Sequence, residues 1–165
     1  MKILVIGHKQ HGKGTFCDIA TKNFSIRSMG TSRFNAERIF ELMKDEYGYS
    51  SVEECYADRI NHREFWFNNI NDFCKDNYAL VIEEILMKHD ICEGVRNRVE
   101  FECAKTKRRF DLVIWIDASN RLPLESSSSM ELTEDDADLI IKNNGTQEEF
   151  HKRCVNTLKL INKAI

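Results

Sequence analysis

The 165-residue chain lacks any excess of positive charge: 24 lysines and arginines stand against 27 aspartates and glutamates, a formal net charge of −3. Holding nucleic acid through bulk electrostatics needs the opposite balance, so that class is set aside, although local clusters of arginine can still grip small anions. No two cysteines have C-x-x-C spacing. The six, at 17, 55, 74, 92, 103 and 154, fall mostly among apolar neighbours and read as reduced core thiols. No apolar run approaches the roughly 20 residues of a membrane span, and the first apolar segment leads straight into a glycine loop instead of a signal-peptide pattern. The expectation is a soluble, cytoplasmic protein with neither nucleic-acid nor membrane partners. Repeats are also missing, and the length suits one domain, 1–165, whose core needs no disulfide or metal staples.

What is present concentrates at residues 3–15, Ile-Leu-Val-Ile-Gly-His-Lys-Gln-His-Gly-Lys-Gly-Thr. A short apolar run ends in Gly7, four residues follow, and Gly12-Lys13 opens a helix, which is the spacing of a phosphate-cradling loop. Glycines at both ends let the backbone turn its amide hydrogens inward, so that a triphosphate meets donors at a positive helix terminus. Gly7, His8, Gln10, His11, Gly12, Lys13, Gly14 and Thr15 are therefore the candidate residues for binding ATP. Lys13 would reach the β and γ phosphates, and the hydroxyl of Thr15 would face a magnesium ion. Gly14 separates the lysine from the hydroxyl residue, and Gly-Lys-Gly-Thr resembles the loop of the nucleoside monophosphate kinases more than that of GTPases or motor ATPases.

Further along, helical spacing of Ile39, Phe40, Met43 and Tyr47 predicts a helix from about Ala36 to Gly48. From about Val52 to Cys74 the pattern predicts one long helix, with Arg59 and Arg63 projecting from the centre of an apolar stripe and His62 at its edge. Two guanidiniums there must pair with buried carboxylates or line an anion site. Trp66, one turn on, either stacks on a base or is core. Asp90 to Val95 reads as a strand running into Glu93-Gly94-Val95-Arg96, and 110–117 as a buried parallel strand that ends at Asp117. Residues 118–137 carry Arg121, the only proline and four consecutive serines without periodicity, and read as a lid over the phosphates or a flexible linker. Leu139-Ile-Ile141 is a last strand, and Phe150, Cys154, Leu158 and Ile161 give the final helix its buried face. Strands alternating with helices mean an α/β fold with ligands at the carboxyl ends of a parallel sheet.

With these blocks in order, and with Asp-Arg-Ile-Asn-His-Arg, Gly-Val-Arg-Asn-Arg and Asn-Asn-Gly-Thr, the chain resembles the bacteriophage-type deoxynucleoside monophosphate kinases of the P-loop kinase superfamily. The resemblance implies a three-layer fold around a mostly five-stranded parallel sheet, a helical acceptor-binding region at about 31–76 and a lid-like loop at about 118–137. It implies transfer of the γ-phosphoryl group of ATP to a deoxynucleoside monophosphate, with Mg2+, in the cytoplasm, the host's if the chain is of phage origin. Lys13, Arg96 and Arg121 would be catalytic, Asn144 would join the ATP site, and Ser32, Arg33, Arg59, Arg63, Trp66 and Arg96 would hold the acceptor. Thr15 would bind the metal, with Glu93 acting through water; Asp117 stays open as the alternative carboxylate. A kinase for another small acceptor, such as a nucleoside, and a nucleotide-binding regulator without catalysis are the competing readings. The base, discrimination against ribose and a homodimer stay open.

Overall fold

The computed structural model describes residues 1–164. Strand β1 (Ile3–Ile6) is apolar on both sides because it lies between layers of helices: Ile3 and Val5 enter one core, Leu4 and Ile6 the other. Around it run β2 (Ser28–Gly30), β3 (Ile91–Glu93), β4 (Leu112–Asp117) and β5 (Leu139–Lys142). The five strands form one parallel sheet in the order β2-β3-β1-β4-β5. Parallel neighbours need long crossovers, and helices supply them.

Helices α1 (Lys13–Phe24) and α7 (Gln147–Ala164) cover one face; Phe16 and Ile19 from the first meet Phe150, Cys154, Leu158 and Ile161 from the second. Helices α5 (Leu80–Lys88) and α6 (Arg98–Thr106) cover the other, through Val81, Ile82, Ile85, Leu86 and Phe101. Burying one such side chain contributes about 1.5–3 kcal/mol before conformational entropy is subtracted, so these two faces dominate cohesion. All six cysteines are free thiols, five of them buried. No helix of the described residues is long and apolar enough to cross a membrane.

Two sequence expectations are corrected. The single helix expected over 52–74 is two, α3 (Val52–Asp58) and α4 (Arg63–Cys74). Asp58 breaks it by accepting hydrogen bonds from Tyr49 Oη and Asn61 Nδ2, both at 2.5 Å, while the Asn61 amide turns back to the Asp58 carbonyl at 2.9 Å. A side chain that offers the local backbone such an alternative ends a helix without glycine or proline. The stripe carrying Arg59 and Arg63 therefore does not exist as one surface. Second, α2 (Thr31–Tyr47) begins five residues earlier than its apolar spacing indicates, so Ser32 and Arg33 occupy its first turn, not a loop. Residues 118–137 are irregular apart from a 3-10 turn at Glu134–Asp136, but Met130 and Leu132 are buried in the main core. The segment is packed down at that end instead of forming a free linker.

Candidate active site

Gly7 and Gly12 bend the loop after β1, with φ of 135° and 112°, and Gln10 between them also adopts a left-handed conformation at 65°. Both glycines are also needed for space. A Cβ on Gly7 would lie 2.5 Å from the Ile116 carbonyl oxygen, and one on Gly12 2.7 Å from Asn143 Nδ2. The Asn143 amide in turn donates to the His11 carbonyl at 2.8 Å, so the loop is clamped to the end of β5.

Of the seven α-helices among the described residues, α1 and α2 alone carry no acidic residue in the first turn, and each begins at a glycine without a side-chain cap. Their amino termini face the same cavity, of about 720 Å3, lined by Lys13, Gly14 and Thr15 from one and Thr31, Ser32 and Arg33 from the other. Bare amides and two positive helix poles with no carboxylate in their own first turns are suited to anions. Arg96 and Glu93 complete the inner wall, and Glu53, Tyr56 and Ala57 of α3 the outer one. Gly94, with φ of 90°, brings the backbone to the same surface. A second cavity of about 520 Å3 shares Gln10, Gly12 and Thr15 with the first and continues past Arg121 and Asn143 to Gln147 and His151 on α7. The two form a groove with the glycine loop at its centre.

Lys13 is buried and donates to the carbonyls of Gly7 and His8, both at 2.7 Å. Burial, and next the nearby Arg96 guanidinium, lower its pKa from 10.5 to about 8. Burial raises the Glu93 carboxyl, against the pull of Lys13. Arg96 is paired with Glu125, and Arg33 with Glu37 and Glu53. Arg121 lines the second cavity and donates to the Asn143 carbonyl at 2.6 Å.

Other predicted site residues are placed elsewhere. Asn144 ties two loops together, donating to Asp117 at 2.9 Å and accepting from the Asn120 amide at 3.0 Å, while its neighbours Asn143 and Gly145 line the groove. Arg59 lies 3.8 Å above the Tyr56 ring, donates to the Tyr56 carbonyl and does not line either cavity. Arg63 is exposed at the start of α4, and Trp66 is buried against Ala36, Ile39, Met43 and Cys55. Sequence reading did not assign Thr31, Glu53 or Tyr56 to the site.

The hydroxyl of Thr15 and the carboxylate of Glu93 line the larger cavity, and hard oxygens of this kind suit magnesium. Asp117 is a poorer candidate, since Ser119, Asn144 and Lys142 occupy its oxygens. The described residues hold no cluster of three His, Cys, Asp or Glu ligands, and magnesium bound mainly through phosphates and water needs none.

The His8 and His11 side chains brace the loop. His8 Nδ1 accepts from the Glu125 amide at 3.1 Å and His11 Nδ1 from the Ala118 amide at 3.0 Å, so each ring is neutral with a bare Nδ1. Burial lowers both below the usual 6.5. The unfolded chain therefore takes up these protons first, and the stability they contribute is complete above pH 6.5 and lost as pH falls below it. Thermal midpoints measured from pH 7.5 to 5 should decline, and His11→Asn should flatten the decline. The raised carboxyls of Glu93 and Glu100 act in the opposite sense, and the comparison of variant with wild type separates them.

The fold is shared with solved structures of several small kinases. Solved structures of this fold that match nearly the whole chain include the dephospho-CoA kinase of Campylobacter jejuni, at TM-score 0.59 and 18% identity over 98% of this chain and 97% of that one. Shikimate kinase of Aquifex aeolicus matches at TM-score 0.52 and 14% identity, covering 96% of each chain. A gluconokinase of Sinorhizobium meliloti matches at TM-score 0.50 and 10% identity, covering 99% and 94%. No protein-family model and no curated protein sequence matches the chain.

Proposed function

We propose that the chain is an ATP-dependent phosphotransferase of the deoxynucleoside monophosphate kinase type, as in the phage-type kinases it resembles. The observation that carries this reading is the pair of uncapped, acid-free helix termini, α1 and α2, opening on one cavity. One terminus suits the triphosphate of the donor and the other, with Arg33 and Arg96, the phosphate of an acceptor. The second cavity has the position for the donor nucleoside, with Arg121 beside it. The similar solved structures, kinases by name, support the phosphotransferase part.

The acceptor oxygen of a monophosphate is already ionised, so the site has to align and stabilise rather than remove a proton. Loop amides and Lys13 would orient the donor phosphates, and Arg96 would hold the acceptor anion facing them. Magnesium, when bound near Thr15 and Glu93, neutralises charge on the donor phosphates. A cytoplasmic setting, where thiols stay reduced, suits such an enzyme.

Glu93 favours a second reading. A carboxylate with a raised pKa in the acceptor cavity could take a proton from a hydroxyl, as a kinase for a nucleoside or another small alcohol requires. ADP formation from ATP and Mg2+ across all deoxy- and ribonucleoside monophosphates and the corresponding nucleosides separates the readings. Turnover with deoxynucleoside monophosphates is expected. Turnover with nucleosides alone supports the second reading, and ATP binding without acceptor-dependent ADP a regulatory protein.

A further inference from the structure

We infer that Glu125 is a positioning residue, which fixes the Arg96 guanidinium in the acceptor half of the groove and couples it to the glycine loop. The inference rests on reading that cavity as the acceptor site. Glu125 lies in the serine-rich stretch, where Leu124 is 62% exposed and residues 126–129 are all exposed, yet its own side chain is only 16% exposed. One carboxylate oxygen accepts from Arg96 Nη1 and the other from the Lys9 amide, at 2.5 Å. Its backbone amide donates to His8, so residue 125 meets the loop at two successive positions.

The segment is anchored beyond this point as well. The Glu131 amide donates to the Arg96 carbonyl at 3.0 Å, and Met130 and Leu132 are buried. Burial would raise the Glu125 carboxyl, but the Lys9 amide and the Arg96 guanidinium hold it below the ordinary range, so it is ionised when it makes these contacts. Arg96 makes no other side-chain hydrogen bond among the described residues, so its remaining N–H groups are left for a ligand. A long side chain held in place before the acceptor arrives loses less freedom on binding. The same carboxylate ties the acceptor-side cation to the loop that would carry the donor phosphates.

The two oxygens allow a test that a merely structural role would not pass. Glutamine keeps one accepting oxygen and no charge, so it cannot serve both donors. Alanine serves neither. Steady-state kinetics would use the full chain, ATP, Mg2+ and whichever deoxynucleoside monophosphate turns over fastest, with thermal midpoints recorded for each variant. Glu125→Gln should raise the acceptor KM about tenfold, the loss expected for one charge-assisted hydrogen bond, with the KM for ATP within about twofold of wild type. Glu125→Ala should raise both. In an Arg96→Ala background Glu125→Gln should add nothing.

A Glu125→Gln enzyme that matches wild type, or moves both KM values together, overturns the inference. A lower acceptor KM does too, since Glu125 would then compete with the acceptor for Arg96. These results, beside a damaging Arg96→Ala, leave the acceptor assignment standing. An Arg96→Ala enzyme with unchanged acceptor KM, or a wild-type enzyme that turns over no monophosphate, overturns that assignment and this inference with it.

Discussion

Lys13→Ala is expected to lower kcat/KM by at least about 10³-fold while leaving the fold intact, because the lost ammonium acts where charge moves between phosphates. The side chain is buried and its only hydrogen-bond partners among the described residues are two carbonyls of its own loop. Removing it gives up two hydrogen bonds but also a poorly solvated charge opposed by Arg96, so stability should stay within about 1 kcal/mol of wild type. The pH dependence separates these roles. With a folded pKa of about 8 against an ordinary 10.5, the folded chain binds fewer protons than the unfolded one between those values. The penalty is present in full below pH 8 and disappears as pH climbs to 10.5, so wild-type stability gains a positive slope there that the variant lacks. A polyphosphate prefers the charged lysine, so ATP binding near pH 8.5 should take up a proton in wild type and not in Lys13→Ala. Calorimetry in two buffers of different ionisation enthalpy measures this. Wild-type turnover by the purified variant would remove the loop from the mechanism.

The second large effect contrasts two glycines of the same loop. Gly7→Ala forces a Cβ to 2.5 Å from a backbone oxygen at a φ of 135°, and neither β1 nor β4 can yield without disturbing the sheet. A loss of about 3 kcal/mol is expected, a fall of roughly 6–12 °C in Tm for a chain of this size. Gly14→Ala should do the reverse. Its Cβ meets no protein atom within 4 Å, and alanine is favoured over glycine in a helix by about 0.5–1 kcal/mol. Yet Gly14 lines the larger cavity, and a methyl group there would displace a phosphate, costing about 10²-fold in kcat/KM. Thermal melts and initial rates on the two variants distinguish a glycine that the fold requires from one that a ligand requires.

The parts legible in the sequence are those where a local rule is strict. The loop of residues 7–15 has fixed spacing, and the helix from 147 repeats its apolar positions about once a turn, so both are found where expected. The helix break at 59–62 was hidden because the apolar spacing continues across it while Asp58 ends α3 through bonds to Tyr49, Asn61 and His62. Arg59, Arg63 and Trp66 were linked by a periodicity that spans two helices. Arg33 and Arg96 do line the cavity, but their ion pairs with Glu53 and Glu125 join residues 20 and 29 positions apart. Nothing in a polar segment without periodicity singles out Glu125. The missing acids in the first turns of α1 and α2 were visible in the sequence, but informative only once those helix starts were known.

Two helix poles of like sign that open on one groove favour a polyanion regardless of what is attached to it. Attraction of that sort is indiscriminate. Selectivity between one nucleotide and another must then come from the outer wall, by shape and by refusal.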